Sequence, residues 1–461
     1  MPEFDLLVLG GGTGNVVASA AAGEGLDVAI VEADGLGGTC LNRGCNPSKQ
    51  LIHRADVVRT VREASAFGVD ASLDGVRFAD IVDDVIGGVT EQAESKAADA
   101  REDDNVTFYR AEGRFVDERT VAVDADGGEE RVTADGVVLA GGSRPTVPDA
   151  IDGTDDVEFL TSAEAMRLRD LPDRLVVVGG GYIAVEMGYF FREMGAEVAI
   201  VGRSDVLLSR EDREIAERLT DAYADDHELY LGHSATALAR DGDETVVTAE
   251  TDDGDEVEVR GDELLLATGR RPNSDSWNVA AAGIETDGKG FVETDEYLRT
   301  SADGVWAIGD IAGNYMFKHS GDKEAEFAIE NAVRGNHREV EYPGMAHAVF
   351  GSPQVASLGK TESELDGEYE VGRCEYDDTV LGSALRSDVG LVKVLVAPDG
   401  DVLGCHVVGP NASTLVHEVS TAVAAGADAE RIAETIHVHP ALSEVVQGAF
   451  RDAEGMEVTG I

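Results

Sequence analysis

Lysine is almost missing from this 461-residue chain, occurring only at Lys49, Lys96, Lys289, Lys318, Lys323, Lys360 and Lys393. Lys and Arg together number 37 against 91 Asp and Glu, a formal charge of -54. Basic residues form no cluster, which disfavours nucleic-acid binding, because phosphate contacts need grouped cations. No apolar run is long enough to span a bilayer, so no membrane partner is expected. Neither a basic leader nor a small-residue cleavage site precedes Phe4-Asp5-Leu6-Leu7-Val8-Leu9. The expectation is therefore a cytoplasmic protein without a secretory leader. Cysteine is scarce as well, with Cys40, Cys45, Cys374 and Cys405 only. A reducing cytosol argues against structural disulfides. No CxxC pair or Cys/His cluster has zinc spacing, so no metal site is expected. Cys374 and Cys405 stand alone in strand-like stretches and read as core or surface residues.

The acid surplus is spread along the chain instead of gathering in a tail. One reading is an acidic partner-binding surface. The stronger one is adaptation of the whole surface to concentrated salt. Self-repulsion of this size destabilises a compact state in dilute buffer, and salt screens it over a few ångströms. A halophilic cytoplasm and a need for high salt are expected. Hydrophobic content of 43% is ordinary for a globular protein. At roughly 100–200 residues per domain, the length suggests about three or four domains.

One strand–turn–helix unit occurs twice. The first copy runs Leu6-Leu7-Val8-Leu9, then Gly10-Gly11-Gly12-Thr13-Gly14-Asn15, a helix, and Asp27-Val28-Ala29-Ile30-Val31-Glu32. The second runs Leu175-Val176-Val177-Val178, then Gly179-Gly180-Gly181-Tyr182-Ile183-Ala184, a helix, and Glu197-Val198-Ala199-Ile200-Val201-Gly202. Continuous apolar strands alternating with helices indicate parallel βαβ units. Ordinary αβ turns are the bland alternative. The glycines let the backbone approach a pyrophosphate seated at the helix N-terminus. This marks Gly10, Gly12, Gly14, Gly179, Gly181 and Ala184 as cofactor contacts. Glu32 ends the second strand of the first copy, where it can accept bonds from ribose hydroxyls. The second copy has Gly202 there, followed by Arg203, with Arg210 a few residues on. A carboxylate would repel a 2′-phosphate that Arg203 and Arg210 could pair with, so this site reads as built for NADP.

Cys40-Leu-Asn-Arg-Gly-Cys45 lies about thirty residues after the first turn. Cysteines at that spacing can close into a disulfide. They are expected at or near the start of a helix running through Lys49 toward Val61. A helix N-terminus favours thiolate, which thiol–disulfide exchange requires. Two buried unpaired thiols are the alternative. Near the end, His437-Val438-His439-Pro440-Ala441-Leu442-Ser443-Glu444 sets a histidine beside a carboxylate, as an oriented acid–base pair would. Alone, it reads equally as a structural histidine.

Together these residues resemble the flavin-dependent pyridine nucleotide–disulfide oxidoreductases, in order and over essentially the whole chain. The motifs are Gly-Gly-Thr-Cys40-Leu-Asn-Arg-Gly-Cys45-Asn-Pro-Ser-Lys49, Gly-Gly-Gly-Tyr182-Ile-Ala-Val-Glu186, Ala-Thr-Gly-Arg-Arg-Pro, Ala-Ile-Gly-Asp310 and His439-Pro-Ala-Leu-Ser-Glu444. The resemblance implies an α/β fold with two Rossmann-like dinucleotide-binding domains and a C-terminal α+β dimerisation domain. Residues 1–149 would bind FAD, 150–266 NAD(P)H, 267–338 would return to the FAD domain, and 339–461 would form the interface of a homodimer. It implies that Cys45 is the flavin-proximal sulfur and that Cys40 attacks the substrate. Lys49 and Glu186 would pair near the flavin. Tyr182 would cover the flavin until nicotinamide displaces it. Asp310 would hold the ribityl chain, with Gly38, Thr39, Gly142 and Gly269 also against the cofactors. His439, oriented by Glu444 and supplied by the partner subunit, would protonate the leaving thiolate.

Three departures stand out. Asn15 replaces the third Gly or Ala of the first turn, Asn46 replaces an aliphatic residue, and Gly141 replaces a threonine. None is expected to touch a reacting atom. Within the family, mercuric reductase is disfavoured, because its C-terminal cysteine pair is absent while His439 is present. Dihydrolipoamide dehydrogenase, using NAD, is opposed by Ala184 and Gly202. A flavin redox sensor without catalysis would not need Cys40, Cys45, Lys49, His439 and Glu444 together. The expectation is an NADPH-dependent reductase of a small-molecule disulfide, bis-γ-glutamylcystine, serving thiol redox homeostasis.

Overall fold

In the computed structural model the chain is described over residues 2–125 and 128–457. It folds into two compact units. One gathers the chain up to Gln50 with Asp80–Thr146 and Gly269–Tyr342. The other gathers Leu51–Ala79, Val147–Thr268 and the chain from Pro343 on.

The first unit is built on a seven-stranded sheet. Glu3–Leu9 lies between Val28–Val31 and Gly128–Leu139, parallel to both. Val106–Tyr109 extends the sheet beyond Val28–Val31, and Val305–Ala307 pairs in parallel with Val137–Leu139. Leu6 through Leu9 and all of Val28–Val31 are buried, as strands covered on both faces must be. Helix Gly14–Gly23 buries Val17, Ala18, Ala21 and Ala22, a stripe at helical spacing, against Leu6, Val8 and Ile30. An antiparallel pair, Gly113–Asp117 and Thr120–Ala125, continues onto Gly128–Leu139.

The second unit repeats the parallel arrangement. Its four-stranded sheet runs Glu228–Leu231, Glu197–Gly202, Arg174–Val178, Glu263–Leu266. Helix Tyr182–Met194 packs on it, and a three-stranded meander, Ser234–Asp241, Glu244–Glu250 and Glu256–Gly261, follows. The C-terminal part is a five-stranded antiparallel sheet, in the order Ala346–Val349, Val355–Gly359, Val402–Val408, Leu391–Val396, Glu370–Glu375. Helices Ala412–Ala424 and Glu444–Ala453 contribute to its core. Cys374 and Cys405 are buried in this sheet, and burial pushes both thiols up to about 12. Lys393, also in it, is fully buried and paired with Asp212 and Glu362. Between helix Ala429–Glu434 and helix Glu444–Ala453 the chain exposes Ile436 and Val438, at 95% and 74%.

Among the described residues no helix is long and apolar enough to cross a membrane.

Candidate functional site

The two glycine turns match bond for bond. The Gly10 amide donates to Val31 O (2.9 Å) and Ala140 N to Leu9 O (2.7 Å). In the second copy Gly179 N donates to Val201 O (2.8 Å) and Ala267 N to Val178 O (2.8 Å). Both glycines have positive φ, +104° and +132°. A Cβ on Gly10 would sit 2.2 Å from Ala140 O, and one on Gly179 would sit 2.3 Å from Ala267 O. Only glycine allows the turn to close so tightly on the neighbouring strand. Gly14 makes the close helix–strand contact, since a Cβ there would meet Val8 at 2.7 Å, and Asn15 beside it is half-buried.

Glu32 spans the first turn, its Oε2 accepting from Gly11 N (2.7 Å) and its Oε1 from Asp34 N (2.9 Å). Strand register aligns Leu9 with Val31 and Val178 with Val201, so Gly202 occupies the position equivalent to Glu32. Arg203 and Arg210 beyond it are both exposed, and among the described residues neither has an ion-pair partner.

In the same unit Asp310 accepts from the Ser143 hydroxyl, and Arg270 donates to Ser143 Oγ (2.8 Å) and Ser143 O (2.6 Å). Burial pushes the Arg270 guanidinium pKa down, with the Asp310 carboxylate 4.0 Å away opposing it. Glu324 is fully buried and accepts from Gly309 N and the Tyr342 hydroxyl. Gly142 and Gly269 both take positive φ, with open space where a Cβ would stand.

The cysteine pair lies at the start of the long helix that runs through Lys49, as expected, with one cysteine inside it and one just before it. Cys40 sits in a short helix, Gly38–Arg43, together with Gly38 and Thr39, and Cys45 opens the 19-residue helix Cys45–Glu63. The break falls at Gly44, where a Cβ would stand 2.8 Å from Thr39 O and 3.2 Å from Cys40 Cα. That close approach folds one cysteine back onto the other. Both cysteines are free. The neighbouring Cys45 thiol, followed by burial, raises the Cys40 pKa; the Lys318 charge opposes the rise and Asp322 adds to it. Lys318 and Asp322 form an ion pair on helix Lys318–Ala328. The Cys40 thiol also donates to Asn46 Oδ1 at 3.5 Å. Asn46 therefore does touch a sulfur expected to react, against the sequence expectation. Lys49 Nζ lies 3.3 Å from Ser48 Oγ, one turn into the long helix.

In the second unit Tyr182 is held away from free rotation. Its hydroxyl donates to Glu211 Oε1 (2.6 Å), and its ring stacks on His347 with centroids 5.8 Å apart. His347 Nε2 reaches the same carboxylate oxygen (2.8 Å), while the Ser357 hydroxyl donates to Oε2 (2.6 Å). Burial alone would raise the Glu211 pKa, but the bonds from His347, Ser357 and Tyr182 outweigh it and hold the carboxyl at about 2. Glu186 is buried and accepts from Phe350 N (3.1 Å), and Ala184 is fully buried. His439 Nδ1 lies 2.8 Å from Glu444 Oε1, and Ala441 N donates to Glu444 Oε2 (2.9 Å). A second pair, His437 Nε2 with Glu418, stands two residues earlier.

Comparison with known proteins decides what these parts belong to. The family model for the pyridine nucleotide-disulphide oxidoreductases matches residues 4–333, and that for their dimerisation domain matches 345–450. The chain belongs to this family. It is 35% identical to a dihydrolipoyl dehydrogenase of Halobacterium salinarum, with 98% of this chain and 97% of the relative covered. It is also 35% identical to a mycothione reductase of Mycobacterium tuberculosis, covering 98% and 99%. The solved HOCl-induced flavoprotein disulfide reductase RclA from Escherichia coli shares the fold, with a TM-score of 0.85 at 23% identity over 97% and 99% of the chains.

Pyridine nucleotide-disulphide oxidoreductases are FAD-dependent and use a pyridine nucleotide, and the dimerisation domain supports a homodimer. The first unit fits a dinucleotide. Its Gly10 turn admits no side chain, Glu32 braces that turn, and Ser143, Asp310 and Arg270 form a bonded polar group. Sequence reading named Gly269 but missed its neighbour Arg270, although Ala-Thr-Gly-Arg-Arg-Pro contained it. It also missed Glu211, which stands beside Arg210, and Lys318, one of only seven lysines. The scarcity of lysine was the available signal for that last residue.

Proposed function

We propose that this oxidoreductase uses NADPH to reduce a low-molecular-weight disulfide, bis-γ-glutamylcystine, through the Cys40–Cys45 pair. The nucleotide preference rests on one observation: Gly202 occupies the position equivalent to Glu32, and among the described residues the exposed Arg203 and Arg210 beyond it lack ion-pair partners. In a chain with 91 acids, two unpaired guanidiniums at the end of that strand favour a 2′-phosphate.

Bound in the first unit, FAD supplies the passage of a hydride's two electrons from nicotinamide to the cysteine pair. The chain's residues do the sulfur chemistry. The Cys40 thiolate attacks one substrate sulfur, forming a Cys40–substrate disulfide and expelling the first thiolate. His439 of the partner subunit gives that thiolate its proton. Cys45 then attacks Cys40, closing the internal disulfide and releasing the second thiolate. Bis-γ-glutamylcystine carries carboxylates, and the Lys318 ammonium that acts on Cys40 is already paired with Asp322, so the substrate's anionic groups are left to other cations. Tyr182, tied to Glu211 and His347, would act as the movable cover at the nicotinamide site.

The test is NADPH oxidation by the purified flavoprotein in concentrated KCl with bis-γ-glutamylcystine. Fast turnover is expected, with NADH and lipoamide poor in parallel. NADH-linked lipoamide turnover instead would overturn the reading in favour of a dihydrolipoyl dehydrogenase. Arg203→Glu should raise the KM for NADPH about tenfold or more, since a lost charge-assisted bond costs roughly 1.5–3 kcal/mol. An unmoved KM would remove Arg203 from the site.

A further inference from the structure

The contact between Asn46 and Cys40 has no counterpart in the aliphatic residue that the family pattern places there. The Asn46 carboxamide stands in the first turn of helix Cys45–Glu63, exposed, with Oδ1 3.5 Å from Cys40 Sγ. An aliphatic side chain can neither accept a bond from a thiol nor donate one to a thiolate. A carboxamide does both: its oxygen accepts from S–H, and a half-turn about Cβ–Cγ presents N–H to S⁻. Cys40 alternates between these two states whenever it attacks a disulfide and is released again.

Charged and titratable groups also act on Cys40. Cys45 faces it from the long helix and Lys318 and Asp322 from helix Lys318–Ala328. On its own short helix Arg43 is paired with Asp34. Cys45 and Asp322 oppose a thiolate at Cys40, and the Lys318 cation, itself paired with Asp322, is the counterweight. Asn46 adds a neutral donor to these, one that meets the sulfur without adding charge.

We propose that Asn46 is a positioning residue for the interchange sulfur: it aims the Cys40 thiol and, by turning its amide, stabilises the Cys40 thiolate for attack. The proposal rests on Cys40 as the attacking sulfur in the reading above, and its test does not depend on the substrate assigned there. The full-length flavoprotein in concentrated KCl is reduced with dithionite and treated with iodoacetamide at pH 5 to 10. The labelled cysteine is identified by peptide mass spectrometry. For Asn46→Leu, Cys40 labelling at pH 7 should fall about tenfold and the midpoint should move up by about one pH unit, the size of one charge-assisted hydrogen bond. Asn46→Asp, nearly isosteric, should move the midpoint at least as far, because a carboxylate repels a thiolate. Asn46→Ser, which keeps a hydroxyl donor and acceptor, should recover part of the rate. Flavin absorbance reports whether each variant has folded. If Asn46→Leu and Asn46→Asp, both carrying flavin, superimpose on the parent profile, the proposal is wrong. Should Leu fail to load flavin, the Asp profile alone decides. Labelling at Cys45 in the parent would instead overturn the assignment of Cys40 as attacking sulfur.

Discussion

Glu444, its side chain only 6% exposed, holds Nδ1 of His439 at 2.8 Å, while the imidazole itself is 56% exposed. The pair therefore sets a buried carboxylate behind an exposed imidazole. Burial acts to raise the Glu444 pKa, but the Ala441 amide and His439 outweigh it, so the carboxylate stays charged. A charged carboxylate at Nδ1 fixes the tautomer and leaves Nε2 for proton transfer. His439→Gln should lower disulfide turnover by about 10²–10⁴ while leaving flavin reduction by NADPH unchanged in stopped-flow. Equal loss in both half-reactions would show a structural role instead.

Glu211 makes a pH prediction. Its folded pKa of about 2 lies below the ordinary 4.5. Its contribution to stability is therefore full above about pH 4.5 and is lost as pH falls toward 2. Glu211→Gln should cost about 1–3 kcal/mol at pH 7, since it weakens the bonds from Tyr182, His347 and Ser357. The gap from the parent should narrow by pH 3. Urea denaturation at both pH values in constant KCl measures it, and a gap that widens in acid would contradict the assignment.

Lys393 is 2% exposed and bonds Asp212 at 2.8 Å and Glu362 at 2.6 Å. Asp212 is itself 1% exposed and caps helix Arg213–Ala224 through Glu214 N. Lys393→Met would leave a buried carboxylate unpaired, at about 3–5 kcal/mol. Adding Asp212→Asn should recover part of the loss. Two independent, additive losses in equilibrium unfolding would mean the pair is not coupled.

With a formal charge of -54, thermal stability should rise with KCl from dilute buffer to molar concentrations. A melting temperature indifferent to KCl would refute halophilic adaptation.

Much of the fold was legible because both βαβ units announce themselves locally: apolar strand, glycine turn, helix, second strand. The equivalence of Glu32 and Gly202 could be read by counting residues, and strand register bears it out. What stayed hidden depends on approach between distant segments. Tyr182 meets Glu211 from 29 residues away and His347 from the C-terminal sheet, contacts that no periodicity encodes. The separation of Cys40 from the long helix turns on Gly44, whose missing Cβ is needed only because Thr39 O lies so near. Asn46 read as a harmless departure because its six-residue offset from Cys40 says nothing until that break folds the two together.

Ile436 and Val438 project from a dimerisation domain whose chain carries 54 surplus negative charges. Covering them with a second copy brings two polyanions face to face. In dilute buffer their mutual repulsion reaches far beyond the contact, whereas near 1 M salt it fades within about 3 Å. Ionic strength would then bear on whether two copies meet, as well as on whether each one stays folded. On the reading in which His439 serves the opposite subunit's cysteines, salt would act on activity through assembly as well as through folding.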